Sequence, residues 1–549
     1  MPTTIARTPL YRRLRSRLRR LGVRQRRPTP LLSVVLPVYD VEGYIEACME
    51  SILSQSFRRL EVVVVDDGST DRSPEIAWRV AERDPRVRII RQDNAGLGAA
   101  RNTGLRHAQG RYVAFADSDD IVLPHAYREL IRTLETSGSD FAVGGFRRGD
   151  EERSHVPDWV QRVHAAKRTG LTIEDHPEML LDITAWNKVF RRSFWDAAGL
   201  EFPEGVRYED QVPMTKAFLA ASSFDVLKSQ VYLWRTRGDG TSITQQKATV
   251  ADIRDRLASQ TGSYDLVRAH GSEPVRRAWL VKLFGYDFPG YFEAVLSAPE
   301  EYWALLREQM TRIRAEMSDD ALTSVTVYPR LMSWLLADGL RDAAEAVFVF
   351  NQRHARGWPT IDQDGVRVVC PPLEAAGPLP ATLTTVTAAD RHPRSRLLEA
   401  LWDGSTLVLR GYAFLMYVDD DDRELCLRLV DDASGRHIEL PVTARGVPRA
   451  EVQPGREFED HSGSGFEARV DAGSLGRCAD EVQVTWRFEV VQTFQGVVRT
   501  TGFTSVENRG SVGVRHTRVV DGHAVRLWGT AARGLAVRVR RARAGAATL

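Results

Sequence analysis

Cysteine is scarce in this chain of 549 residues: only Cys48, Cys370, Cys426 and Cys478 occur, separated by 322, 56 and 52 positions. No pair has the spacing of a zinc site and no dense disulfide framework is present, which indicates a reducing compartment. A single Cys426–Cys478 bridge is the alternative. The chain also lacks any run near the ~18 consecutive apolar residues that a membrane-spanning helix needs. Its N-terminus has no apolar stretch followed by a small-residue cleavage site, so it does not read as a secretory signal. Acidic residues are missing from the first thirty positions, which carry ten Arg and no Lys. That leaves 65 basic against 73 acidic residues, a net charge of −8, for everything beyond them. A nucleic-acid binder rarely segregates charge this way; a basic tail on a mildly acidic enzyme does.

What is present is ample core material, with 43% apolar and 27% charged residues. The length points to two to four domains. Residues 1–30 form a basic arm. Leu10, Leu14, Leu18 and Leu21 fall on one helical face, with Arg12, Arg13, Arg15, Arg17, Arg19 and Arg20 between them. Such a helix suits an anionic membrane surface, contacted through residues 1–27; a solvated leader or a helix docked on its own protein are the alternatives.

From residue 31 the pattern becomes strand–helix alternation. Leu31–Val35, Leu60–Val65, Val87–Ile90 and Tyr112–Ala116 read as strands; Glu42–Phe57, Ser73–Arg83 and Asn102–His107 read as helices. Continuous apolar strands alternating with helices predict a parallel sheet covered on both faces, with ligands beyond the carboxyl ends of its strands. Polar clusters fall at those ends. Pro37-Val38-Tyr39 follows the first strand and Asp66-Asp67-Gly68-Ser69 the second. An Asp there suits the imide N–H of a uracil, with Tyr39 stacking beside the base; ordinary loop and cap chemistry is the competing reading. Gly96 and Gly98 precede a helix, but Arg101 stands where a dinucleotide fingerprint needs its third Gly, which disfavours hydride transfer. Asp117-Ser118-Asp119-Asp120 closes the fourth strand. Asp117 and Asp119 are two apart, so in extended backbone both carboxylates point one way and suit Mg²⁺ or Mn²⁺ together with substrate phosphates. Asp419–Asp422 is a longer acidic run and reads as a solvated turn.

These motifs, in order from Ser33–Tyr39 through Val65–Asp71 and Asn94–Gly104 to Gly110–Asp120, resemble those of family 2 glycosyltransferases of the GT-A fold. The resemblance continues through Ala185-Trp186-Asn187-Lys188, Tyr208-Glu209-Asp210 and Trp234-Arg235-Thr236-Arg237 with Ser242. Asp40 departs from the Asn common at that position. The resemblance implies an inverting hexosyltransferase that moves a sugar from a nucleotide donor to a hydroxyl. It implies that Asp67 recognises uracil, that Asp119 coordinates a divalent ion (Mn²⁺ or Mg²⁺) and that Asp117 contributes to metal or nucleotide binding. Pro37, Tyr39 and Arg101 line or support the nucleotide pocket, and Arg235 or Arg237 helps neutralise the leaving diphosphate. Asp210 is the base, with Glu209 orienting groups beside it.

Residues 250–358 are helical by pattern, in segments Val275–Phe284, Glu301–Glu316 and Leu331–Phe350. Trp279, Trp303 and Trp334 read as core, and the block either covers the acceptor side or acts as a spacer. Residues 359–384 are a Pro-rich linker. Short β-rich runs from about 385 to 505, with a further stretch at Ser511–Val539, predict an antiparallel sandwich that this stretch completes or extends into a second module. The expected architecture is therefore multidomain α/β: the arm 1–30, a GT-A domain 31–249, a helical linker domain 250–358, the linker 359–384 and a β-sandwich region 385–549.

Some teichoic-acid glycosyltransferases share this order and oligomerise through C-terminal sandwiches, so homo-oligomerisation follows by resemblance. The expected partners are a UDP-sugar and a glycopolymer such as wall teichoic acid, or a lipid-linked acceptor. Nucleic acid is not among them. The expected place is the cytoplasm, peripheral at the inner face of the plasma membrane. Exopolysaccharide, capsule or glycolipid synthesis is the alternative within enzymes, and a non-catalytic carbohydrate-binding or assembly protein the alternative outside them.

Overall fold

The computed structural model describes residues 31–542, apart from 151–153, 238–248, 355–356, 363–364, 432–433, 449–451, 453–459, 478–482, 504–516 and 531–533. The basic arm, Ser242 and Cys478 lie outside the described residues. Cys48, Cys370 and Cys426 carry free thiols. Among the described residues, no helix is long and apolar enough to cross a membrane.

The described residues between Leu32 and Arg235 build one mixed sheet with its covering helices. Its elements run β1 (Leu32–Val38), α1 (Ile45–Leu53), β2 (Leu60–Asp66), α2 (Ser73–Arg83), β3 (Val87–Arg91), α3 (Leu97–His107), β4 (Tyr112–Phe115), β5 (Ile121–Val122), α4 (Ala126–Ser137) and β6 (Phe141–Gly149). They continue with β7 (Ser154–His155), α5 (Asp158–Val163), β8 (Arg168–Leu171), β9 (Lys188–Arg191), α6 (Arg192–Ala197), α7 (Gln211–Ala220) and β10 (Phe224–Arg235). The strand order is β3-β2-β1-β4-β9-β6-β10-β5. All seven residues of β1 are buried, as a strand with parallel neighbours and covered faces requires. The predicted parallel pairing holds for β3-β2-β1-β4. Beyond β4 it gives way: β9 runs antiparallel to both β4 and β6. Helix boundaries also move. α1 is shorter than Glu42–Phe57 at both ends, since Val41–Tyr44 forms a turn and the helix stops at Leu53, and α3 starts five residues before Asn102, at Leu97, directly after Gly96.

On one face of the sheet, Val34 and Phe146 pack with Ile52 of α1 and Leu130 of α4. The other carries Val35, Phe115, Phe141, Phe190 and Phe224, and its core continues without a break into Ile253, Trp279, Trp303 and Leu331. The residues after 249 are thus packed on the sheet as part of a common interior. They form α8 (Val250–His270), α9 (Glu273–Lys282), α10 (Glu300–Arg314), α11 (Asp319–Thr323), α12 (Val327–Ala337) and α13 (Arg341–His354). The expected single helix Leu331–Phe350 is two helices, broken where Gly339 adopts φ +75°, a left-handed geometry that suits a residue without Cβ. Trp279 and Trp303 are buried; Trp334 is half-buried beneath the Arg314 guanidinium, 4.1 Å from its ring.

The C-terminal region is two antiparallel sheets face to face. Pro393–Asp403, Thr406–Leu415, Gly465–Asp471 and Val442–Arg445 form one. Glu424–Asp431, Gln483–Phe494, His523–Thr530 and Gly534–Arg541 belong to the other. Leu397, Leu409 and Phe466 pack against Leu429, Phe488 and Val537 across the interior. The described strands after residue 517 therefore complete the sandwich, since Gly534–Arg541 pairs directly with Gln483–Phe494. The acidic run differs from expectation at one residue. Asp420 is turned inward, its side chain 8% exposed, and meets His461 at 3.1 Å and Arg423 at 3.5 Å.

Candidate functional site

The loops after β1, β2 and β4 converge because their strands are adjacent and parallel. Pro37 is buried inside β1, whereas Tyr39, just past its end, is 47% exposed. Asp40 adopts φ +46°, a left-handed conformation that Asn and Asp tolerate better than most residues. Its Oδ1 accepts from the Thr70 amide at 2.7 Å and so ties the first loop to the second. Asp67 is buried and takes three donors: Gln92 Nε2 at 2.8 Å and the Ala95 amide at 2.9 Å on Oδ1, and the Gly96 amide at 2.9 Å on Oδ2. Its carboxylate thus pins the glycine-rich loop to the end of β2. A Cβ on Gly68 would stand 2.9 Å from the Asn94 nitrogen, so only glycine admits that approach.

The acidic turn after β4 is held from below and from the side. The Asp117 amide donates to Tyr232 Oη at 2.9 Å, and the Tyr232 hydroxyl hydrogen-bonds Asp120. Tyr232 is itself stacked on Trp186, with centroids 4.3 Å apart. Asp119 Oδ2 accepts from Arg237 Nε at 2.7 Å, and Asp120 Oδ1 accepts from the Arg235 amide at 2.8 Å. Both guanidiniums lie over the Tyr44 ring. Burial, followed by the neighbouring carboxylates Asp119 and Asp117, lifts Asp120 well above the usual carboxylate range. Asp117 is raised too, by burial first, with Arg101 opposing and Asp119 adding.

Arg101 joins this turn to the second acidic pair. Its Nη2 is 2.6 Å from Asp117 Oδ1 and its Nη1 pairs with Glu209, while Phe202 lies 5.1 Å below the guanidinium. The side chain is 1% exposed, so the guanidinium lies behind the two acidic segments and not at their surface. The approach depends on Gly98: a Cβ there would sit 2.1 Å from the Pro203 carbonyl oxygen, on the loop that delivers Glu209. Asp210 stands at the N-terminal end of α7. Burial and then the Glu209 charge push its carboxyl up to about 7, with Arg101 opposing.

Sequence reasoning missed the network that fixes the Asn187-Lys188 segment. Lys188 is fully buried, and Nζ donates to Asp182 Oδ1 at 2.8 Å, Thr184 O at 2.6 Å and Asn187 Oδ1 at 2.9 Å. Asp182 also meets His164 Nε2 at 3.0 Å. Lys188→Met leaves a buried carboxylate short of its ammonium partner and should destabilise the protein by about 3–5 kcal/mol, read from denaturant unfolding. An unchanged midpoint would show the network to be dispensable. Arg256 and Asp252 were missed as well, because nothing in the pattern of α8 separates Arg256 from the surface Arg254.

The donor set suits a hard divalent cation whose shell substrate phosphates complete. Asp117 and Asp119 each meet an arginine through one carboxylate oxygen, and their mutual repulsion is what a dication relieves. Among the described residues, no cluster of three or more His, Cys, Asp or Glu forms an all-protein cage.

Residues 33–195 match the sequence profile described as Glycosyl transferase family 2. The uncharacterized glycosyltransferase EpsJ of Bacillus subtilis is 34% identical over 241 residues, which cover 43% of this chain and 70% of EpsJ. Staphylococcus aureus TarS, a poly(ribitol-phosphate) beta-N-acetylglucosaminyltransferase, is 27% identical over 276 residues, 49% of this chain and 47% of TarS. The crystal structure of TarS superposes with a TM-score of 0.51 at 15% identity, covering 93% of this chain and 86% of that one, which shows a shared multidomain fold. Its 1–349 fragment in complex with UDP-GlcNAc gives 0.50 at 21% identity, covering 62% and 96%.

Proposed function

Because the chain belongs to the family 2 glycosyltransferases and is a hexosyltransferase, we propose that it moves a sugar from a UDP-linked donor, with inversion, to a hydroxyl of a phosphate-containing cell-envelope glycopolymer. The observation that carries the reading is the Arg101 bridge. One buried guanidinium ties the carboxylate turn suited to a donor diphosphate to the loop suited to activating an acceptor. TarS, by its name, acts on poly(ribitol phosphate) and transfers N-acetylglucosamine, which supports that polymer as acceptor and UDP-GlcNAc as donor here.

In this mechanism Tyr39 and the Asp67 loop receive the base, while Arg235 and Arg237 stand beside the diphosphate. Asp119 with Asp117 would hold Mn²⁺ or Mg²⁺, which when bound neutralises charge developing on the departing UDP. Asp210 accepts the acceptor's proton as its oxygen attacks the anomeric carbon, and Glu209 keeps Arg101 in place beside it. A single displacement of this kind turns an α-linked donor into a β-linked product. The test is turnover by the full chain of UDP-GlcNAc, UDP-glucose and UDP-galactose with purified poly(ribitol phosphate) and Mn²⁺. Transfer from one of them with β stereochemistry is the expected result; turnover of none, or an α product, overturns the reading.

A further inference from the structure

The segment bearing Asp210 does not hold its own shape. Tyr208 adopts φ +60°, a left-handed backbone that is costly for an aromatic residue and persists only where its surroundings impose it. Those surroundings come from α8, in the helical block. The Arg256 guanidinium carbon lies 4.8 Å over the Tyr208 ring. Its Nη1 donates to Gln211 Oε1 at 2.9 Å, so one side chain grips the residue two before Asp210 and the residue directly after it. Asp252, one turn earlier on the same helix, accepts from the Tyr208 hydroxyl at 2.9 Å. Arg256 is anchored in turn: Asp287 Oδ1 lies 3.1 Å from Nη2, and Lys282 Nζ holds Asp287 at 2.6 Å. By contrast Arg254, on the same helix, pairs with Glu301 at the surface and is 59% exposed.

We propose that Arg256 is a positioning residue for Asp210, clamping its loop from both flanks and presenting a positive charge to its carboxylate. The role rests on the reading of Asp210 as the base. The helical block then belongs to the reaction centre and is more than a spacer. The charged groups facing Asp210 are Glu209 on its own loop, Arg101 from α3, Asp117 after β4, Lys188 from β9, Lys282 from α9 and Arg256 itself. Arg101 grips Glu209, directly before Asp210, whereas Arg256 reaches both sides, touching Tyr208 before it and Gln211 after it. Its loss both loosens the loop and strengthens the hold of Asp210 on its proton.

The experiment compares Arg256→Met, Arg256→Lys and Arg254→Met in the full chain, using UDP-GlcNAc and poly(ribitol phosphate) as probes. Arg256→Met should lower kcat about 10–100-fold, the scale of a misplaced catalytic group, and move the acid limb of the rate profile to higher pH. KM for the donor should stay within about twofold, because ground-state binding is untouched. Arg256→Lys should recover much of the rate, and Arg254→Met should match the parent. A parallel rise in donor KM with no pH displacement, or equal losses in the Lys and Met variants, overturns the proposal. Hydrogen exchange of residues 207–211 needs no substrate. Arg256→Met should accelerate exchange there while distant amides keep their rates; unaltered exchange in that segment overturns the clamp. Absence of wild-type turnover, or full activity in Asp210→Asn, would instead strike the proposed function and leave the exchange result standing.

Discussion

Asp210→Asn should lower kcat about 10²–10⁴-fold at pH 8, the range for removing a positioned general base. The substitution keeps the shape of the side chain and its place at the start of α7, so UDP affinity measured by calorimetry should not change. In the parent, the carboxyl is pushed up to about 7 by burial and the Glu209 charge. The sign follows from the role. Below about pH 7 the base already carries a proton and cannot take another, so kcat/KM should climb about tenfold per pH unit on the acid side and level off above it. The Asn variant, with nothing to titrate there, should lose that limb. Undiminished transfer by Asp210→Asn, or an unchanged acid limb in its residual rate, would remove Asp210 from the role.

The second large effect is at Asp119. Asp119→Asn retains an oxygen for Arg237, which lies 2.7 Å away, but removes the charge that Asp117 and Asp120 both feel. A divalent ion stabilises a departing diphosphate by several kcal/mol, so kcat/KM should fall about 10²–10³-fold. The Mn²⁺ concentration for half-maximal rate should rise, since a carboxylate is a far better ligand than an amide for a hard cation. Titrating Mn²⁺ into chelator-treated protein checks this. A variant that saturates at the parent's Mn²⁺ concentration with the parent's rate would show that Asp119 holds no ion.

Much of the sheet was legible because its signals are local. β1 and β2 are unbroken apolar runs ended by polar turns, and α2 starts and stops where Ser73–Arg83 predicts. The reversal at β9 was not legible, since a four-residue strand carries no mark of its direction. The break at Gly339 was hidden by apolar spacing that runs on across it. At the candidate site the residue types could be read, but their connections could not. Arg101 stands 108 positions from Glu209; the resemblance has it line or support the nucleotide pocket, and no local pattern shows that its guanidinium is buried between two carboxylates. Arg256 was invisible for a related reason. A buried, ion-paired arginine and a solvated one look alike in a helix until the partners, here Asp287 and Gln211, are placed around them.

The interior shared by Phe141, Phe190 and Phe224 with Trp279, Trp303 and Leu331 bears on how such enzymes can be recombined. A chimera joined near residue 249 would bare two apolar surfaces and ask unrelated halves to match side chain for side chain, the hardest kind of junction to graft. The buried members of that interior run on to Leu383 and Val386, and Asp390 accepts from the Val327 amide, so a joint placed after Asp390 keeps them together and the portable unit for swapping specificities is the transferase sheet together with its helices.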